Sequence, residues 1–218
     1  TYDRRGRGES ADTPPYAPER EIEDLAALIG ASGPAGLYGV SSGAVLALRA
    51  AAALGPARVP RLVLYEPPLD APDDDEAQDA YARYVERVDR ALRAGRRDEA
   101  LELFLGDMLP PEEIAALRGT PEWPAMEAVA HTLAYDNAVL GDGTVPLAIA
   151  RAVTVPTLVL VGGESPPFKR AAADALVAAM PRAESRVLSG ETTMASPEIL
   201  APVLAAFLGG RAEERARG

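Results

Sequence analysis

The stretch Gly36-Leu37-Tyr38-Gly39-Val40-Ser41-Ser42-Gly43, continued by the apolar, alanine-rich run from Ala44 to Leu54 and stopped by Gly55-Pro56, decides how this chain is read. A short apolar segment enters a turn made of small residues and leaves it as a buried helix, closed by a glycine and a proline. Glycine at positions 39 and 43 lets the backbone turn sharply, which leaves the Ser41 hydroxyl exposed at the corner. A helix that starts there also aims its first N–H groups at the corner, so the backbone N–H of Ser42 is a candidate oxyanion donor. A bare Gly-x-Ser-x-Gly match is equally well explained as a glycine-tightened strand-to-helix corner with no chemistry.

Outward from the corner, strands and helices alternate. Upstream, Ile22, Leu25, Ala26, Leu28 and Ile29 recur at helical spacing between Glu19 and Ile29, with acidic residues early in the segment. Downstream, Leu62-Val63-Leu64-Tyr65, closed by Pro67-Pro68, and Thr157-Leu158-Val159-Leu160-Val161, closed by Gly162-Gly163, have the continuous apolar character of buried strands. A helix from Phe168 to Met180, a short strand Ser185-Arg186-Val187-Leu188 and a last helix from Pro197 to Leu208 follow. This order predicts an α/β fold with a mostly parallel sheet flanked by helices on both faces. Between the two apolar strands the chain changes character. Asp73-Asp74-Asp75-Glu76 reads as a solvated loop, and helical periodicity follows around Tyr81–Ala94, Asp98–Leu105 and Pro121–Tyr135. The expected division is 1–69 as the first part of the core, 70–150 as a helical insertion, 151–210 as the second part of the core and 211–218 as a charged, frayed tail.

With 218 residues, 48% of them hydrophobic and 25% charged, the chain suffices for one domain carrying an insertion. It has no cysteine, which excludes disulfides, a thiol nucleophile and cysteine-ligated metal, and a reducing cytoplasm would suit it. A net charge of −11 with no basic stripe argues against nucleic acid. No run approaches the roughly 18 apolar residues of a membrane span, and the opening Thr1-Tyr2-Asp3-Arg4-Arg5 lacks the apolar stretch of a signal peptide. Lys169 is the only lysine among 22 basic residues, which reads as composition bias. The carboxylates at 73–76 do not have the spacing of an EF-hand loop, and neither a metal nor an organic cofactor is implied.

Two further segments carry a family resemblance. Tyr2-Asp3-Arg4-Arg5-Gly6-Arg7-Gly8-Glu9-Ser10 resembles the Asp-x-Arg-Gly-x-Gly-x-Ser segment that follows the fourth strand of α/β-hydrolases, and Val155 to Gly162 resembles their seventh strand. With the serine elbow between them in the right order, the chain resembles an α/β-hydrolase domain with a helical cap. The resemblance implies a strand ending at Tyr2, with the sheet's earlier strands supplied by a missing N-terminal segment or by self-association. It implies a small-molecule substrate and Ser41 as nucleophile.

The same resemblance exposes a departure. A serine hydroxyl needs a base in hydrogen-bond contact and a carboxylate to orient that base. The family's base is a histidine in the loop matching Ser189-Gly190-Glu191-Thr192-Thr193-Met194-Ala195, where Thr192 or, better, Thr193 now stands. The usual acid position aligns with Ser165, beside Glu164; some relatives, haloalkane dehalogenases among them, place the acid after the sixth strand, which makes Glu66 the preferred acid. A strand-end carboxylate bonded to neighbouring N–H groups is its equally weighted alternative. The single histidine, His131, and the nearby Tyr135 fall in the insertion and are candidate substrate contacts, a packed or exposed helix histidine being the plainer alternative. Three functions follow: an atypical, non-hydrolytic enzyme of cyclase or lyase type; a serine esterase inactivated by a His-to-Thr change; or a ligand-binding protein without catalysis.

Overall fold

The computed structural model describes residues 1–209. In chain order its elements are α1 (Pro18–Ser32), β1 (Leu37–Val40), α2 (Ser42–Leu54), β2 (Leu62–Tyr65), α3 (Asp75–Arg93), α4 (Arg97–Leu105), α5 (Pro111–Arg118) and α6 (Trp123–Val129). A 3-10 turn over Ala130–Thr132 leads into α7 (Leu133–Leu140), followed by α8 (Leu147–Ala152), β3 (Thr157–Gly162), α9 (Pro167–Ala179), β4 (Ala183–Leu188) and α10 (Pro197–Gly209). The chain forms two compact units, one of Thr1–Glu21 with Asp75–Asp142 and one of Ile22–Asp74 with Gly143 onward, the boundary falling inside α1.

The second unit holds a four-stranded, wholly parallel sheet in the order β1-β2-β3-β4, as the alternation of strands and helices predicts. Every residue of β2 and β3 is buried, which is why both read as unbroken Val/Leu runs rather than as alternating strands. β1 and β4 lie at the two ends of this order; half of β1 and most of β4 are exposed, Glu184 and Arg186 among the exposed residues. On one face α10 lays Leu200, Val203, Leu204, Phe207 and Leu208 over Val63, Tyr65, Leu158 and Leu160. Truncating Leu158 or Leu160 to alanine should cost about 2–5 kcal/mol. Elsewhere in the unit α2 packs against α8 and α8 against α9, and the buried positions of α2 run from Ala44 to Ala51 almost without a break.

The first unit is built on Val88, Ala91, Ala100, Leu101, Leu105, Trp123, Ala130 and Leu133, contributed by α3, α4, α6 and the following turn and helix. Two expectations change here. Asp75 and Glu76 open α3 rather than standing in a loop, since carboxylates in a first turn favour the helix dipole. Residues 1–21 group with these helices instead of with the core of the sheet unit. The cause is a bonded cluster: Arg4 bonds both carboxylate oxygens of Glu21 at 2.6 and 2.7 Å and Asp136 at 2.9 Å, Arg7 bonds Asp136 at 2.9 Å, and the Tyr16 ring stacks on Tyr135 with centroids 4.0 Å apart.

The first residues described lie outside any strand or helix. The segment from Asp3 to Ser10 closes on itself: the Asp3 carboxylate accepts the Glu9 N–H at 3.0 Å, the Ser10 hydroxyl donates to the Asp3 carbonyl at 2.7 Å, and Gly6 and Gly8 take positive φ. The expected tail, 211–218, lies outside the described residues.

Candidate active site

The ends of the four strands bring together the residues singled out in the sheet unit. Ser41 follows β1 directly, with φ 54° and ψ −129°, and acts as N-cap of α2 without a side-chain capping bond. A non-glycine residue held in that region costs about 1–3 kcal/mol and persists only where its surroundings enforce it. Two features do so. The Ser41 N–H donates to the Tyr65 carbonyl at 2.9 Å, and its own carbonyl accepts the Ala44 N–H at 2.9 Å. Gly39 supplies the clearance, because a Cβ there would overlap the Gly43 carbonyl. Ser42 is the first residue of α2, so its N–H lies at the positive end of a 13-residue helix.

Glu66 follows β2 and is fully buried, with φ 45°. Its N–H donates to Leu160 at 3.0 Å, which extends the β2–β3 pairing by one residue and aims the side chain across the end of β3. There Oε1 accepts the Gly162 N–H at 2.8 Å and the Ser165 hydroxyl, while Oε2 accepts the Thr193 hydroxyl. The three donors come from β3, the loop after β3 and the loop after β4. The structure therefore joins Glu66, Ser165 and Thr193, the positions that the sequence left as alternative acid sites and as the base site. Glu164 is exposed, its N–H taken by the Glu191 carbonyl at 3.0 Å.

The loop that carries Thr193 is held at three points. The Tyr65 hydroxyl donates to the Thr192 carbonyl, the Gly163 N–H to the Leu188 carbonyl at 2.7 Å, and the Glu191 carboxylate accepts both the N–H (2.8 Å) and the hydroxyl (2.7 Å) of Ser196 just before α10. Those bonds hold the Glu191 carboxyl below its ordinary value. Burial, with the nearby Glu66 and Glu191 carboxyls, holds the Tyr65 phenol well above its ordinary value. Neither the Tyr65 latch nor the buried Lys169 was found from sequence: Tyr65 reads as a strand residue, and Lys169 stood out only as the sole lysine.

His131 and Tyr135 belong to the helical unit, where both are committed to Asp12. The His131 Nε2 stands 3.3 Å from the Asp12 carboxylate and the Tyr135 hydroxyl donates to it at 2.8 Å, with the two rings edge to face at 5.8 Å. The Asp12 carboxylate joins burial in raising the Tyr135 phenol to about 12, burial being the larger effect.

With this geometry in view, the comparisons with known proteins agree on the fold. The chain belongs to the alpha/beta hydrolase family, whose model matches residues 1–201. It is similar to an alpha/beta hydrolase from Sphaerobacter thermophilus, at 45% identity over 94% of this chain and 80% of that one, with a TM-score of 0.81. It is also similar to a hydrolase from Pseudomonas aeruginosa, at 26% identity over 95% of this chain and 78% of that one, with a TM-score of 0.70. MenH from S. aureus, at 16% identity over 96% of this chain and 80% of that one and a TM-score of 0.67, shares the fold. No curated protein matches the chain. Among the described residues, no helix is long and apolar enough to cross a membrane.

Proposed function

We propose that the chain is an enzyme of α/β-hydrolase fold that acts on a small organic substrate of acyl or ester type at the carboxyl edge of its sheet, by a non-hydrolytic, cyclase- or lyase-like route. Ser41 binds and orients the substrate through its hydroxyl, the Ser42 N–H receives developing negative charge, and Glu66 with Thr193 forms the polar wall opposite. Orientation and fixed dipoles accelerate reactions without a covalent intermediate. The observation that carries this reading is the Thr193 hydroxyl on the buried Glu66 carboxyl. A group unable to take a proton at useful pH fills the place of the base, and its hydroxyl is spent on the acid.

One observation favours a second reading, a serine hydrolase whose histidine has been replaced. Around Thr193 the supporting parts of a triad remain, namely the strained Ser41 and a fully buried acid already bonded to position 193. Hydrolysis of a short p-nitrophenyl ester by Thr193→His separates the two. The non-hydrolytic reading expects a rate at background; a gain of about 100-fold or more establishes that only the base was lacking. Ser41→Ala then tests for mere binding: turnover of the native substrate unchanged by that substitution removes Ser41 from the chemistry altogether.

A further inference from the structure

Lys169 has no part in either reading of the site. It is the only lysine of the chain, every other one of the 22 Lys and Arg residues being an arginine. Pro166, Pro167 and Phe168 before it and Arg170 after it are exposed, whereas Lys169 itself is turned inward with 8% of its surface open. A lysine so buried is ordinarily paired. This one is not: among the described residues nothing gives its Nζ a hydrogen bond or an ion pair within 4.0 Å. What Nζ faces is the Phe168 ring, 5.2 Å from its centroid. The fully enclosed side-chain nitrogens that lack a partner belong to His131 and Asn137, so the Lys169 tip, above a buried stem, still meets solvent.

Two features of this placement work against a charge on the amine. Its stem is withdrawn from water, and it stands in the first turn of α9, the positive end of that helix. A ring face is a weaker partner for an ammonium than a carboxylate in contact would be. Burial holds the amine below its ordinary 10.5, with the Glu66 and Asp70 carboxyls working in the opposite sense. Of the elements packed on α9, β3 carries no charged residue, and Arg151 of α8 and Glu184 and Arg186 of β4 are exposed. A guanidinium keeps its proton at every working pH, so in a chain otherwise built with arginine this position holds the one basic side chain able to give its proton up.

We propose that Lys169 is a nucleophilic amine that forms an imine with a small aldehyde or ketone. The free amine attacks the carbonyl carbon and a C–N bond forms; both amine hydrogens leave with the carbonyl oxygen as water, and C=N replaces C=O. Once protonated, the imine carries its positive charge over the Phe168 face. This chemistry uses neither Ser41 nor Thr193, so it stands apart from the function proposed above.

Benzaldehyde with sodium cyanoborohydride provides the test: hydride from the borohydride reduces the imine to a stable secondary amine, which peptide mass spectrometry locates on the chain. Because Lys169 is the sole lysine, Arg170→Lys supplies an exposed lysine one residue away for comparison in the same molecule. At neutral pH Lys169 should be benzylated about tenfold faster or more than the lysine introduced at position 170, a lowering of about one pH unit giving a tenfold gain in free amine. Its rate should level off at a pH below 10.5, while that of the comparison lysine goes on rising through this value. In denaturant the two should react alike. A Lys169 that reacts no faster than its exposed neighbour in the folded chain overturns the proposal, and so does an advantage that survives unfolding. None of these readouts involves ester turnover, so a failure here is distinct from a failure of the functional reading.

Discussion

Ser41 and Glu66 end adjacent parallel strands with their backbones in the left-handed half of φ, at 54° and 45°, and among the described residues no other non-glycine residue does so. They are joined through one residue: the Ser41 N–H donates to the carbonyl of Tyr65, whose next neighbour is Glu66. Strain of this kind concentrates where a fold aims a side chain, and here it aims a hydroxyl and a carboxyl from neighbouring strands at the same edge of the sheet.

The corner that holds Ser41 depends on one glycine more than the other. A Cβ at Gly39 would overlap the Gly43 carbonyl, whereas a Cβ at Gly43 meets nothing within 4 Å. Gly39→Ala should cost about 1–3 kcal/mol in chemical denaturation. Gly43→Ala, in the first turn of a helix, should be neutral or stabilise by up to about 1 kcal/mol.

Truncating Glu66 strands three donors at once. Glu66→Ala leaves the buried Gly162 N–H without its acceptor and frees the Ser165 and Thr193 hydroxyls, so a loss of at least about 2 kcal/mol is expected, and Glu66→Gln should lose less. Equilibrium unfolding of the pair checks the order; equal losses would mean that the bonds contribute little.

Glu191 makes a prediction with a definite pH sense. Its bonds to Ser196 hold the carboxyl below its ordinary 4.5 in the folded chain. With the folded value below the unfolded one, the stabilisation is complete above 4.5 and fades as pH falls through the folded-state titration. Glu191→Gln should therefore be less stable than the parent near neutrality, with the difference closing in acid, as a pH series of melting temperatures would record.

In the helical unit the Arg4 guanidinium carries the cluster that binds the first residues to the helices. Burial works against its charge, but the bonds to Glu21 and Asp136 more than compensate and hold it above its ordinary value. Arg4→Met strands Glu21, which is 1% exposed, and should cost about 3 kcal/mol. Arg4→Lys should recover only part, since an ammonium cannot reproduce the forked contact to both Glu21 oxygens. Denaturation of the two variants side by side decides it.

The sheet was largely legible in the sequence because buried parallel strands leave a local mark. The apolar run Leu62–Tyr65 coincides with β2, and α2 begins at Ser42, two residues before the apolar run at Ala44. α5 is not announced by the sequence, because Pro110-Pro111 at its start reads as a break and its apolar face, Ile114 and Leu117, is only one short turn wide and half-buried. In the candidate site, Ser41, Glu66 and Thr193 could be named from position along the chain. That Ser165 and Thr193 would share Glu66 depends on contacts across 99 and 127 positions of sequence that no periodicity encodes.

Tyr65 touches both sides of this arrangement, its carbonyl holding Ser41 and its phenol holding the loop at Thr192. Tyr65 thus ties the serine corner and the loop carrying Thr193 to the same strand, in addition to the Thr193 bond to Glu66. Because that hold runs through Tyr65, the backbone that presents position 193 is anchored by a neighbouring strand and not by the side chain at 193 alone.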